Sequence, residues 1–152
     1  MPNWCEGTLK VRGKVKDLKK FVLEGLKPVD WFGHFLEPLK INQYAHCESD
    51  KTCHIENTRR GFVKDLDVYF EEDDEEIQII HLDTKFAWGI EPKQLQETCI
   101  KYNIDMKIYA FECGMEFNQD IEIVNGEIIK DEEINFKDKD YRWDCIMPNL
   151  GG

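Results

Sequence analysis

The sequence predicts an α+β fold built on an antiparallel sheet. Three observations support this class: segments in which apolar residues alternate, two segments with apolar residues at helical spacing, and an Asn125-Gly126 pair typical of a tight hairpin turn. The chain has 152 residues, 41% of them hydrophobic, which is enough to bury a core of its own. We therefore treat residues 1–152 as a single domain.

The first half of the chain begins with a strand and a helix. Residues 5–12 alternate and predict a strand that Gly13 closes. Residues 16–26 place apolar side chains along one helical face, and Pro28 ends that helix. Residues 29–62 show no regular pattern, so we predict a long irregular insert. A loop of this length inside a compact domain needs something to hold it.

The second half of the chain is dominated by strands. The predicted elements are strands at 67–70 and 77–82, a helix at 91–102 that begins near Pro92, and strands at 104–110, 116–124 and 127–134. The first two strands form a hairpin with an acidic tip, and the last two form an extra C-terminal hairpin. Residues 135–152 are predicted to be a peripheral tail. This order matches the ferredoxin-like split β-α-β arrangement, with both helices on one face of the antiparallel sheet.

A cluster of imidazoles and thiols inside the insert predicts a metal site. It consists of His46, Cys47, Cys53 and His54. Zinc prefers these side chains, and a short loop between the cysteines could present both sulfurs to one ion. We predict a structural Zn²⁺ that holds the insert in place. If the four do not reach one ion, His34 or Cys5 could supply a ligand. The alternatives are a polar loop with reduced thiols or a Cys47–Cys53 disulfide.

The sequence also bears on the compartment of the protein. The N-terminus lacks the basic start and apolar stretch of a signal peptide, and no apolar run reaches the roughly 20 residues of a membrane helix. We expect a cytoplasmic protein without membrane contact, whose six cysteines are thiols or metal ligands.

The net charge of −11 is unevenly distributed along the chain. Residues 1–64 carry 12 Lys and Arg against 8 Asp and Glu, whereas residues 65–152 carry 8 against 23. A negative field repels phosphate and favours a basic partner, so we expect no direct binding of nucleic acid. The basic residues between Lys10 and Lys20 are interpreted as a solvated face.

Three segments resemble the Api92-like (YubB-like) proteins of phages and plasmids. Residues 1–13 contain that family's opening Asn-Trp-Cys, residues 84–92 resemble its Thr-x-Trp-x-Pro-Pro segment, and residues 109–117 resemble its Tyr-x-Glu-x-Gly-x-x-Phe strand. Here Ile90-Glu91-Pro92 replaces the paired prolines, and the family's Asn-Trp-Gly-Thr-Lys stretch is absent. The resemblance implies a ferredoxin-like fold and a mobile-element origin, and it implies no particular chemistry. By analogy, small acidic phage proteins resemble inhibitors of host defence, including anti-CRISPR proteins.

The sequence contains none of the standard catalytic motifs. There is no glycine-rich phosphate loop, no Ser-centred elbow and no His-Glu-x-x-His segment. Glu112 and Glu116 could form a carboxylate pair, but the alternation favours a position on one strand face that is exposed to solvent. We therefore expect a non-enzymatic protein. One alternative is a small enzyme or sponge that acts on a nucleotide signal, with His46, His54 or His81 as general base. Another is a structural or assembly protein of the virion.

The expected activity is stoichiometric binding through a negative surface. Residues 65–84 carry nine acidic side chains, and residues 111–133 add eight against one lysine. Together they could dock on a basic channel that normally holds nucleic acid. The favoured partner is therefore a basic host protein, a nucleic-acid-binding defence nuclease of which Cas9 is the favoured example. The predicted partner contacts in the acidic run are Glu71, Glu72, Asp73, Asp74, Glu75 and Glu76.

The acidic run also has a simpler interpretation, as a solvated tip that discourages pairing between strand edges. The aromatic residues supply the other predicted contact, since Trp31 lies in the insert with Phe32 and Phe35. We expect Trp4 and Trp88 to be buried. The cysteines outside the cluster are predicted to be small buried hydrophobes, namely Cys5, Cys99 and Cys113.

Overall fold

Nearly all of the strands form one large antiparallel sheet. The structure is a computed structural model that describes residues 1–136 and 138–152. The strands are β1 (Trp4–Lys14), β2 (Leu26–Pro28), β3 (His46–Ser49), β4 (Cys53–Ile55), β5 (Gly61–Lys64), β6 (Leu66–Tyr69), β7 (Ile77–Ala87), β8 (Asp105–Glu112), β9 (Phe117–Val124) and β10 (Glu127–Asn135). The helices are α1 (Val15–Lys20), continued by a π-helical turn (Phe21–Gly25), α2 (Pro92–Tyr102) and α3 (Tyr141–Asp144). The predicted α+β class with an antiparallel sheet is confirmed.

The large sheet has eight strands in the order β10-β9-β8-β1-β7-β5-β4-β2. The strands before and after α2 lie on either side of β1, so the β7-α2-β8 unit is split by the first strand of the chain. The predicted C-terminal hairpin is confirmed as β9–β10, and Asn125 and Gly126 both have the positive φ that a type I′ turn requires (52° and 75°). The finer ferredoxin-like assignment stays a prediction.

α1 with its π-helical turn and α2 cover one side of the large sheet, which we call the inner face. Leu9 and Val11 of β1 point to this side and are fully buried in the same cluster as Leu18 of α1. The two helical segments meet there, since the ring of Phe21 packs edge-on against that of Tyr102 at 5.7 Å. The opposite side, to which Trp4, Glu6 and Thr8 of β1 point, is the outer face.

The C-terminal segment covers one end of the outer face. Phe136, Tyr141 and Cys145 form a second hydrophobic cluster with Phe111 of β8. The hydroxyl of Tyr141 donates to Oδ1 of Asn118 on β9 at 2.8 Å. Predicted as a peripheral tail, this segment instead contributes buried side chains, because Phe111 would otherwise leave an apolar ring in water.

The predicted hairpin between residues 67–70 and 77–82 is wrong. β6 pairs with β3 in a separate two-stranded sheet, and β7 pairs with β1 and β5. The reason is burial: Leu66 and Val68 of β6 lie on the same side as Cys47 of β3, and all three are removed from water. The insert therefore contains β3 and β4 where an irregular segment was expected.

None of the helices in the described part of the chain is long and apolar enough to span a membrane. The longest of them is α2, with 11 residues.

Candidate functional site

The four predicted zinc ligands lie on two strands of different sheets. His46 and Cys47 belong to β3, and Cys53 and His54 belong to β4. Both thiols are fully buried and free, and burial raises the pKa of Cys53 to about 11. Nε2 of His54 donates to the carbonyl of Thr58 at 2.9 Å. Among the described residues, these four side chains do not converge as one ligand set.

The proposed substitute ligands also lie elsewhere. Nδ1 of His34 is 3.1 Å from the carboxylate of Asp30. Cys5 is fully buried, and its sulfur is 3.6 Å from Oε1 of Gln119. His81, a candidate general base, is exposed on the outer face of β7. The imidazoles of the chain are thus dispersed over separate elements.

A different group of possible metal ligands surrounds His46. Ligand atoms of His46, Glu48 and Asp67 all lie within 4.8 Å of one another. The ladder between β3 and β6 positions them, since Glu48 lies directly opposite Asp67 and His46 lies opposite Tyr69. The imidazole stacks on the Tyr69 ring with centroids 4.0 Å apart and planes 6° from parallel, which fixes its orientation.

This group has the chemistry of a cation site. One imidazole and two carboxylates are donors that Zn²⁺ accepts. Glu48 and Asp67 are like charges directly opposite each other in a strand pair, an arrangement that destabilises the pair unless a positive charge offsets the repulsion. Nε2 of His46 lies 2.5 Å from Oδ1 of Asp67, so a bound cation would replace this contact. Sequence reasoning named His46 and missed the carboxylates. Asp67 lies 21 residues away, so no local pattern could have indicated it.

The acidic run at residues 71–76 is partly neutralised by the chain itself. Nζ of Lys14 and of Lys16 donate to the carboxylate of Glu75 at 2.8 and 2.6 Å. These hydrogen bonds hold the pKa of Glu75 near 2, below its ordinary value. Nζ of Lys19 donates to Asp74 at 3.0 Å. Two of the six predicted partner contacts therefore already form ion pairs within the chain.

The basic residues between Lys10 and Lys20 are exposed or half-exposed, as expected of a solvated face. Three of these lysines also hold the acidic run against the start of the helix. The backbone adds to this attachment, since the amide of Val15 donates to the carbonyl of Glu76 at 2.9 Å. All six acidic side chains of the run are nonetheless exposed.

The aromatic side chains of the insert lie on an ordered turn. We call residues 30–35 the aromatic turn. Trp31 is 95% exposed and Phe32 is 81% exposed. Oδ1 of Asp30 accepts the backbone N–H groups of Phe32 and His34 at 2.9 and 2.8 Å, and these bonds lower the pKa of the Asp30 carboxyl. The backbone of the turn is thus fixed while its rings project into solvent.

Glu112 and Glu116 do not share an exposed face. Glu112 is fully buried, and its carboxylate accepts the amides of Gly114 and Met115 at 2.7 and 2.8 Å. Glu116 is exposed in the following turn, where its φ is +58°. The alternation expected for this segment ends at Glu112 because the chain turns there, and the carboxylate stabilises that turn.

Of the remaining expectations about burial, some are confirmed and others are wrong. Cys5 and Cys99 are buried as predicted, whereas Cys113 is half-buried. The prediction for Trp88 is wrong, because this residue is 63% exposed at a position with positive φ. Trp4 is only partly buried, since it points to the outer face.

Comparisons with known proteins do not identify the chain: no family model, no curated protein and no solved structure matches it. The resemblance to Api92-like proteins therefore stays a prediction.

Proposed function

We propose that this protein acts by binding a host protein, without catalysis, and that the aromatic turn is the main contact. The observation that carries the proposal is the exposure of Trp31 and Phe32 on a backbone fixed by Asp30. Tryptophan anchors at protein interfaces contribute much of the binding energy. A turn that is ordered before binding loses less conformational freedom when a partner covers it.

The favoured partner is a basic, nucleic-acid-handling defence effector of the host, such as a type II Cas nuclease. The net charge of −11 and the exposed side chains of Glu71, Glu72 and Asp73 support a basic partner. The internal ion pairs of Asp74 and Glu75 reduce what the acidic run contributes. We therefore assign the anchoring role to the rings and a steering role to the charge.

Inhibition of DNA cleavage by a purified, guide-loaded type II Cas nuclease tests this proposal. We expect a stoichiometric amount of the protein to inhibit cleavage, and Trp31→Ala to weaken inhibition at least about tenfold. The matched control is Trp143→Ala, because Trp143 is 86% exposed and lies outside the aromatic turn. Both variants should keep the melting temperature of the wild type. An absence of inhibition, or an equal loss in both variants, would contradict the proposal.

We propose in addition that the group of His46, Glu48 and Asp67 binds Zn²⁺ and thereby ties the insert to β6. The donor set and the opposed carboxylates support this assignment. Zinc at about 100 times its dissociation constant should raise the melting temperature by roughly 5 °C or more. His46→Ala should abolish the rise and His54→Ala should not. A rise in melting temperature that depends on Cys47 and Cys53 would support the cysteines as ligands. If zinc causes no rise, the proposed metal site is wrong.

We also propose that β8, β1, β7 and β5 form a ferredoxin-like core with the two helical segments. Their order and antiparallel pairing support it, with β9–β10 and β4–β2 as additions at the two edges. Amide hydrogen exchange should then be slowest in these four strands. Slowest exchange in the added strands would contradict the assignment.

A further inference from the structure

A row of side chains crosses the outer face of the large sheet at the end that the C-terminal segment leaves uncovered. Lys85 on β7 lies opposite Phe62 on β5, Phe62 lies opposite His54 on β4, and His54 lies opposite Lys27 on β2. Residues directly opposite each other in antiparallel strands share a face, and neighbouring strands are about 4.8 Å apart. These four side chains therefore lie side by side across four strands.

Trp4 and Arg60 extend the row. The ring of Trp4 packs edge-on against that of Phe62 at 6.1 Å, and the ring of Phe62 lies 5.6 Å from that of His54. Nζ of Lys85 is 4.7 Å from the Trp4 centroid, and the Arg60 guanidinium is 5.6 Å from it. The cationic–aromatic row thus consists of Trp4, Lys27, His54, Arg60, Phe62 and Lys85.

The cations of the row are available to an anion. Among the described residues, no salt bridge involves Lys27, Arg60 or Lys85. Glu6 lies opposite Lys85 on β1, but its carboxylate accepts a hydrogen bond from Nζ of Lys64 at 2.7 Å. Lys27 and Arg60 are exposed, and the rings of the row are partly exposed.

We propose that the cationic–aromatic row binds single-stranded nucleic acid. Adjacent rings flanked by cations suit this ligand because bases stack on the rings while phosphates pair with the cations. An acidic peptide would use the cations but would have no need of three adjacent rings. The row borders the aromatic turn, since Nζ of Lys27 lies 5.6 Å from the centroid of the Phe35 ring, but it does not include Trp31 or Phe32 and does not rest on the function proposed above.

The acidic strands β9 and β10 lie at the other end of the sheet from the row. Residues 117–135, which contain β9 and β10, carry six acidic side chains and one lysine. In the strand order, β8, β1 and β7 separate them from β5, β4 and β2. The expectation that the protein avoids nucleic acid rested on the total charge, whereas a ligand at the row meets mainly the local charge.

Fluorescence anisotropy of a labelled oligothymidylate of about ten nucleotides, at low salt, tests the proposal. We expect saturable binding that Phe62→Ala weakens about tenfold. The double variant Lys27→Ala, Lys85→Ala should reduce the slope of log affinity against log salt by roughly 1.4. The matched control is Lys107→Ala with Lys130→Ala, because both lysines lie toward the acidic end and pair with Glu122 and Asp120. This control should bind as the wild type does.

Phe62→Leu keeps an apolar side chain in place if Phe62→Ala does not fold, and it should weaken binding through the loss of stacking. No change in anisotropy would overturn the proposal. So would binding that neither row variant alters, or binding that the control weakens as much. If polyglutamate competes with the oligonucleotide and its binding depends equally on Phe62, the row would be assigned to acidic peptides. That result would also overturn the proposal.

Discussion

The outer face of the large sheet is a small core at one end and a bare surface at the other. Phe111 and Phe62 make the comparison direct, because both lie in one cross-strand row, on either side of Glu6 and Lys85. Phe111 is 8% exposed beneath the C-terminal segment, whereas Phe62 is only partly buried. Coverage by another segment of chain, and not the identity of the strand residue, decides whether a ring on this face serves stability or remains available to a ligand.

The largest expected difference between the two ends is in stability. Phe111→Ala should lower the free energy of unfolding by about 3 kcal/mol, because it leaves a cavity in the second cluster. Phe62→Ala should lower it by about 1 kcal/mol, since less of its area is buried. Urea denaturation monitored by circular dichroism measures both. Equal losses would remove the distinction between the covered and uncovered ends.

A smaller effect is expected from the hydrogen bond that attaches the C-terminal segment. Tyr141→Phe removes the donor to Oδ1 of Asn118 and should lower the free energy of unfolding by about 1 kcal/mol. Burial raises the pKa of the Tyr141 hydroxyl, so it remains a donor in any ordinary buffer. Tyr109→Phe is the control, because Tyr109 is 42% exposed and contacts the same asparagine through Nδ2 at 3.2 Å. If Tyr109→Phe lowers the free energy of unfolding by a similar amount, burial of the hydrogen bond does not explain the stability of the covered end.

The smallest effect is expected at the acidic run, where exposed carboxylates form ion pairs with lysines of the same chain. The pKa of Glu75 is lowered from 4.5 to about 2, so its contribution to stability is present above pH 4.5 and is lost as the pH falls toward 2. Glu75→Gln should therefore flatten the dependence of the melting temperature on pH in this window, by about 1–2 °C. Calorimetry at successive pH values measures it. Glu72→Gln removes one exposed acid from the same run, and an equal flattening in that variant would contradict the role of the lysine pairs.

Local sequence patterns identified the elements whose signals lie within a few consecutive residues. Asn125-Gly126 predicted the β9–β10 turn, Pro92 predicted the start of α2, and alternation predicted β1. Each of these signals acts over a few residues, so tertiary contacts were not needed to read it.

The remaining features depend on contacts between distant residues. Alternation shows which side chains of a strand share a face, but it does not name the neighbouring strand. The residues 67–70 were therefore paired with the next strand along the chain, whereas their partner is β3. The contacts of His46 with Asp67 and of Lys16 with Glu75 span 21 and 59 residues. The cationic–aromatic row likewise emerges only from the strand order.

β10 is the edge strand at the acidic end of the large sheet, and this affects how the protein should be purified. The strand is nine residues long, and β9 is its only neighbour in the sheet among the described residues, so its other edge could pair with a second molecule. Glu127, Asp131, Glu132 and Glu133 give approaching copies a mutual repulsion that dissolved ions weaken. We expect light scattering to stay low in dilute buffer and to rise in concentrated salt, so purification should avoid high-salt steps.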